Sequence, residues 1–79
     1  MAVTSWKDRI VLDPDVLAGK PIVRGTRVAV ELVLELLAQG WTYRRVLDNY
    51  PQLSREDLLA ALAYARDCLK VEKVYLIPE

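Results

Sequence analysis

The chain has 79 residues, with 11 basic and 11 acidic side chains, no histidine, one cysteine and an apolar content of 53%. This length predicts one small domain, near the size at which a single core is only marginally sufficient. The lack of histidine excludes a cysteine–histidine pair, a serine–histidine–acid triad and a histidine-bearing metal site within one chain.

The first part of the chain predicts an arm and a strand. Residues 1–8 are polar with no clear period, which indicates a loose arm, and Trp6 is its one candidate anchor. Residues 9–12 predict a short strand, and the Asp-Pro-Asp sequence at 13–15 predicts a turn. We therefore expect the arm to be followed by a single domain over residues 9–79.

A local cationic segment follows on a chain whose formal net charge is zero. Between residues 16 and 30 there are three basic side chains and no acidic one. The basic residues are Lys20, Arg24 and Arg27. Alternation in residues 21–24 and 27–30, interrupted at Gly25, predicts two short extended runs around a turn, with the arginine side chains projecting beside it.

The next pattern is helical. Residues 30–39 predict a first helix, and Gly40 supplies the expected end. Its polar residues fall at i, i+4 and i+8 and form one narrow stripe, made of Glu31, Glu35 and Gln39. Because the rest of the circumference is apolar, this helix belongs either at the centre of the domain or in a dimer interface.

A short second helix is expected after Thr42, running to about residue 49. Thr42 is a good N-cap, and Trp41 and Val46 have the spacing of a hydrophobic staple. The sequence Tyr50-Pro51 then ends the helix.

The longest helix is expected over residues 55–70. Ser54 and Asp57 have the spacing of a capping box, and four residues form the predicted inward seam, namely Leu58, Leu62, Ala65 and Leu69. Cys68 lies in an apolar-rich stretch, which favours a buried structural thiol. Residues 74–77, Val-Tyr-Leu-Ile, predict a terminal strand.

These elements predict a mainly α fold with a small β element. It has a three-helix core of the helix-turn-helix type, homeodomain-like or winged-helix-like, with short N-terminal strands and a C-terminal strand. Three helices joined by short turns also occur in many domains that do not bind DNA, so the pattern alone leaves both possibilities open.

Five separated blocks also resemble a known family. They are RIVLDP at 9–14, GKPIVRGTRV at 19–28, LLAQG at 36–40, YPQL at 50–53 and DLLAAL at 57–62. In this order they resemble the small bacterial and archaeal family catalogued as domain of unknown function 433. The resemblance implies a homeodomain-like helix-turn-helix module, and an antitoxin of a type II pair that neutralises a nuclease-like toxin of the PIN type. Ala29 departs from the proline of many relatives, which leaves the fold prediction unchanged.

Two functions are weighed for such a module. For duplex DNA the candidate contacts are the cations, namely Lys20, Arg24, Arg27, Arg44, Arg45 and Arg55. Against DNA stand the net charge of zero and the acids Glu56 and Asp57 at the start of the third helix. The alternatives are that these cations are solvated surface groups, or that Arg27 pairs with Asp13 or Asp15 within the chain.

The competing function is a dimeric protein-interaction module that never touches DNA. The apolar excess indicates a homodimer or a partner protein. The candidate contacts are Leu32, Leu36, Tyr64, Tyr75 and Leu76. In either case we expect a cytoplasmic protein without a membrane segment, cofactor, metal site or catalytic activity, because no acid, base and nucleophile set can be assembled.

Overall fold

The computed structural model describes residues 5–72, with side chains through residue 70. Two short strands precede three helices. The strands are β1 (Ile10–Leu12) and β2 (Pro21–Val23), and the helices are α1 (Val30–Ala38), α2 (Tyr43–Asn49) and α3 (Arg55–Glu72). The predicted mainly α fold with a small β element is confirmed.

The strands form a two-stranded antiparallel sheet in which Ile10 lies opposite Val23. The second predicted run, residues 27–30, is not a strand. It contributes a single bridge from Ala29 to Ile22, and Val30 already begins α1. The run is too short for a third strand because its last residue, Val30, is already the first residue of α1.

The helix ends follow the predicted signals. Gly40 has φ 95°, its N–H donates to the Leu37 carbonyl, and the next N–H, of Trp41, donates to Leu36, so α1 ends in a Schellman motif. The Thr42 hydroxyl accepts from the Arg45 N–H at 3.1 Å and caps α2.

The core lies where the sheet and the three helices meet. Its largest fully buried side chains are Val23, Val33, Val46 and Leu58, one from β2 and one from each helix. Each contributes roughly 1.5–3 kcal/mol through the apolar area that it removes from water. Trp6, the predicted anchor of the segment before the sheet, is half-buried and packs against this core.

The predicted inward seam of α3 is confirmed for Leu58 and wrong for Leu62 and Leu69, while Ala65 is half-buried. Leu62 is 38% exposed and Leu69 is 66% exposed, whereas Ala60, Ala61 and Ala63 are buried beside Leu58. The first half of α3 packs against β1, α1 and α2, and small side chains allow this close packing. The last turns of α3 extend beyond these neighbours.

Two further predictions concern the end of the chain. Cys68 is exposed rather than buried, because it lies on the last turns of α3, beyond the core. The third helix, predicted over residues 55–70, ends two residues later, at Glu72, and the predicted strand over residues 74–77 lies outside the described residues. Within residues 5–72, no helix is both long and apolar enough to cross a membrane.

Candidate nucleic-acid interface

The turn after β2 is built by Gly25 and Thr26. Gly25 has φ 79°, a conformation that suits glycine. The Thr26 hydroxyl donates to the Val23 carbonyl at 2.8 Å and accepts from the Val28 N–H at 3.0 Å. The turn therefore closes through the backbone and one threonine, without help from its arginines.

Arg24 and Arg27 lie exposed on this turn. Among the described residues neither forms an ion pair, and the predicted alternative of an Arg27 pair with Asp13 or Asp15 is not found. Asp13 instead accepts the Asp15 N–H at 2.9 Å, within the predicted 13–15 turn. Both guanidinium groups are left available to an external anion.

Arg9 connects this turn to the start of α3. The Arg24 N–H donates to the Arg9 carbonyl at 2.7 Å, and Arg9 Nη1 lies 3.1 Å from Asp57 Oδ1. Because Asp57 is in the first turn of α3, the 24–27 turn and the N-terminus of α3 lie at the same end of the domain.

Asp57 is occupied on both carboxylate oxygens. Oδ2 accepts the Ser54 N–H at 2.9 Å, while the Ser54 hydroxyl accepts the Asp57 N–H at 3.3 Å, so the predicted capping box is confirmed. Oδ1 takes the Arg9 guanidinium, and the residue is only 8% exposed. One of the two acids that argue against DNA is therefore buried and paired, whereas the other, Glu56, is exposed.

Three more cations lie on α2 and at the start of α3. The Arg45 guanidinium carbon is 3.9 Å from the centre of the Trp41 ring, and that of Arg55 is 5.7 Å from the Tyr43 ring. Arg44 is exposed between Tyr43 and Arg45 in the sequence. We call these three arginines and two aromatic rings the α2–α3 patch.

Lys20 is set apart from the other five predicted cations. Its Nζ lies 3.2 Å from Glu31 Oε2, and both side chains are more than half exposed. An exposed pair of this kind contributes about 0–1 kcal/mol, but it leaves Lys20 beside a carboxylate that repels phosphate.

The predicted partner contacts have different surroundings. Leu36 lies in the domain's own core at 9% exposure, while Leu32 is half-buried at the side of α1. Tyr64 is half-buried and stacks edge-on against Trp6, with ring centres 4.8 Å apart. The pKa of Tyr64 is raised, mainly by burial and to a smaller extent by the neighbouring Cys68 thiol. Tyr75 and Leu76 lie outside the described residues.

Sequence reasoning missed two long-range polar contacts. One is the Arg9–Asp57 pair, and the other is the hydrogen bond that Trp6 Nε1 donates to Asp67 Oδ2 at 2.8 Å. The helix cap at Asp57 was visible in the sequence, but nothing in the spacing identified Arg9, 48 positions away, as its partner.

The arrangement at this end of the domain can bind anions. Guanidinium groups donate forked hydrogen bonds that fit phosphate oxygens, and aromatic rings stack on nucleobases. In the part of the chain that the structure describes, no three histidine, cysteine or carboxylate side chains come together as metal ligands.

Comparisons with known proteins agree on one family. The family model described as "Protein of unknown function (DUF433)" matches residues 10–65. An uncharacterized protein of Sinorhizobium fredii, y4eO, is 39% identical over 59 residues, which are 75% of this chain and 27% of that protein. The chain thus spans about a quarter of the length of this relative.

A solved structure shares the fold. It is the crystal structure of a DUF433 member protein from Anabaena variabilis, with a TM-score of 0.72 and 30% sequence identity. The match covers 86% of this chain and 68% of that one. The family model matches most of the chain, and the chain shares its fold with a solved member of that family. The chain therefore belongs to the DUF433 family.

Proposed function

We propose that this protein is a small nucleic-acid-binding regulator of the antitoxin type, which contacts duplex DNA through the end of the domain where α3 begins. It acts by binding and has no catalytic role. The 24–27 turn and the α2–α3 patch supply the phosphate contacts.

One observation supports this proposal most. The first turn of α3 has its buried acid, Asp57, neutralised by Arg9, and Arg9 also accepts the backbone N–H of Arg24. Five arginines on the 24–27 turn, on α2 and at the start of α3 therefore lie on segments linked to a helix N-terminus whose buried acid is neutralised. They are Arg24, Arg27, Arg44, Arg45 and Arg55. Since phosphate neutralisation supplies most non-specific affinity, these side chains set the strength of binding.

The net charge of zero limits what one chain can do. No long-range attraction steers DNA toward a neutral protein, so we expect modest affinity per chain. The positive charge is local: Glu56 is the exposed acid in the first turn of α3, whereas Asp67 lies on its last turns beside Arg66.

The test removes cations from this end and from the opposite end of α3. The first variant combines Arg24→Ala with Arg27→Ala. The matched control combines Arg66→Ala with Lys70→Ala, two exposed cations on the last turns of α3, and changes the net charge by the same amount. Binding to a fluorescent duplex is measured by anisotropy over a salt series.

The turn variant should bind more weakly, and its log–log salt slope should fall by about 2, near 1 per lost phosphate contact. The control should bind like the wild type. The turn variant should unfold at the wild-type temperature, because Thr26 and the backbone hold the turn. The control should unfold at nearly that temperature at neutral pH, because the ion pairs that it removes are exposed. Equal losses in the two variants, or no loss in either, would reject this end of the domain as the DNA surface.

The antitoxin part of the proposal requires a second surface, for the toxin. A hollow of about 480 Å³ lies beside α1, between the Leu17–Gly19 turn and Leu32. Leu17 and Ala18 have positive φ values of 51° and 56°, which are costly for residues with a side chain, and Leu17 is 38% exposed. This strained turn presents an apolar side chain next to Leu32, as a protein partner would require.

Co-expression with the product of the neighbouring gene tests this second surface. The wild type should restore growth and co-purify with that product. Leu17→Asn removes the apolar group and suits the left-handed backbone, so it should weaken co-purification without unfolding the chain. Leu62→Gln is the control, because Leu62 is also 38% exposed but lies on α3. Failure of the wild type to rescue growth and to co-purify would reject the antitoxin role.

The alternative function is a protein-interaction module without DNA binding. It is favoured by the same hollow, and it predicts co-purification together with no detectable binding to any duplex at low salt. The anisotropy and co-expression experiments together separate the two functions.

A further inference from the structure

The last turns of α3 extend beyond the core that its first turns help to build. Leu58 near the start of the helix is completely buried, whereas Leu69 is 66% exposed and Cys68 is exposed. Exposed large apolar side chains on the flank of a small domain indicate an interaction surface when they adjoin one another.

These turns border an apolar groove of about 370 Å³ between α1 and α3. Most of its lining residues are apolar or aromatic, namely Pro21, Val30, Leu34, Tyr64, Ala65 and Leu69. The α1 residues form one wall and the α3 residues form the other. A groove so apolar is more stable when another apolar group occupies it.

The charges around the groove permit self-association. Among the described residues that line it, Glu31 is the one with a charged side chain, and Lys20 pairs with it at 3.2 Å. On the last turns of α3, Asp67 pairs with Arg66 at 3.0 Å and lies 4.0 Å from Lys70. The whole chain has a formal net charge of zero. Two copies can therefore bring this face together without like-charge repulsion.

The face also carries both halves of a self-complementary contact. Leu69 is an exposed apolar side chain at the rim of a hollow that it helps to line. In a two-fold interface the same patch is used by both copies, so a projection and a hollow on one face can fill each other. We propose that the groove between α1 and α3 is a homodimer interface, in which Leu69 of each copy occupies the groove of the other.

This proposal does not depend on nucleic-acid binding, since its test contains no nucleic acid. The molar mass is measured by analytical ultracentrifugation over a wide range of protein concentration, for the wild type, Leu69→Glu and Leu62→Glu. Leu62 is the matched control, an exposed leucine on the same helix that does not line the groove.

The wild type should shift from monomer to dimer as its concentration rises. Leu69→Glu should raise the dimer dissociation constant by at least about tenfold, as expected for a buried central side chain. Leu62→Glu should dimerise like the wild type. Circular dichroism should show the same helix content in all three proteins.

Cys68 provides a second readout that needs no substitution. It is the one cysteine of the chain and lines the groove, so its alkylation by a maleimide should slow as the wild type dimerises. A wild type that stays monomeric at every concentration would overturn the proposal. Equal losses in Leu69→Glu and Leu62→Glu would also overturn it. So would a monomer whose Cys68 is protected at all concentrations, because the groove would then be covered by the chain itself.

Discussion

The two ends of α3 differ in almost every physical respect. At its start, Leu58 and Ala61 are fully buried, and Asp57 is capped and paired. At its end, Leu69 projects into solvent and Cys68 is exposed. The polar start lies beside the arginines of the 24–27 turn and the α2–α3 patch, whereas the end borders an apolar groove.

The difference shows that one amphipathic helix can do two things along its length. Its first turns stabilise the domain beside several arginines, and its last turns carry exposed apolar side chains such as Leu69. Chemically different partners are expected at the two ends, an anionic polymer at the start and a second apolar surface at the end.

The largest expected contrast is between two leucines of this helix. Leu58→Ala should lower the free energy of unfolding by about 3 kcal/mol, because it opens a cavity in a packed core. Leu69→Ala should lower it by less than about 1 kcal/mol in the monomer, since a mostly exposed side chain loses little burial. Urea denaturation at low protein concentration measures both. Similar losses would mean that α3 is equally packed along its length.

The next contrast is between the two acids in the first turn of α3. Asp57→Ala removes the carboxylate that accepts the Ser54 N–H and leaves Arg9 without this partner, so we expect a loss of about 2 kcal/mol in the free energy of unfolding. Glu56→Ala should change it by less than about 0.5 kcal/mol, because Glu56 is exposed and alanine favours the helix. Urea denaturation of the two variants measures both changes, and equal losses would contradict the assigned role of Asp57.

The smallest effect concerns pH at the other end of the helix. The Arg66 side chain, and then the Trp6 indole N–H, lower the pKa of Asp67. A carboxylate whose pKa is lower in the folded state stabilises that state above its unfolded pKa of about 3.9. This stabilisation is lost as the pH falls through the folded pKa.

Asp67→Asn should therefore flatten the fall in melting temperature below about pH 4 relative to the wild type. Asp48→Asn is the control, because Asp48 is exposed on α2 and no ion pair is found for it among the described residues. If the melting temperature of Asp67→Asn fell below about pH 4 as steeply as that of the wild type, the Trp6 and Arg66 contacts would not stabilise the folded state through Asp67.

Local signals in the sequence were enough to predict most of the elements. The glycine at position 40, the Thr42 cap and the capping box at Ser54 each act through neighbouring backbone groups, so their chemistry can be read from short spacings. The strand at residues 9–12 and the three helices followed from hydrophobic periodicity.

The tertiary features could not be read in this way. The inward seam of α3 was misplaced because spacing identifies a face of the helix but not where its cover ends, and alanines fill the part that lies closest to its neighbours. The Arg9–Asp57 and Trp6–Asp67 contacts join residues 48 and 61 positions apart. The basic residues themselves were visible, but the neutralisation of Asp57 beside them required the fold.

The most direct test of the account is the affinity of the wild type for two duplexes of equal length over a salt series, one taken from upstream of the gene and one unrelated. We predict tighter binding to the upstream duplex. The log–log salt slope should be no steeper than about −4.5 per chain, the limit for five phosphate contacts. Equal weak binding to both duplexes, or no binding at low salt, would contradict a DNA-binding role for the start of α3.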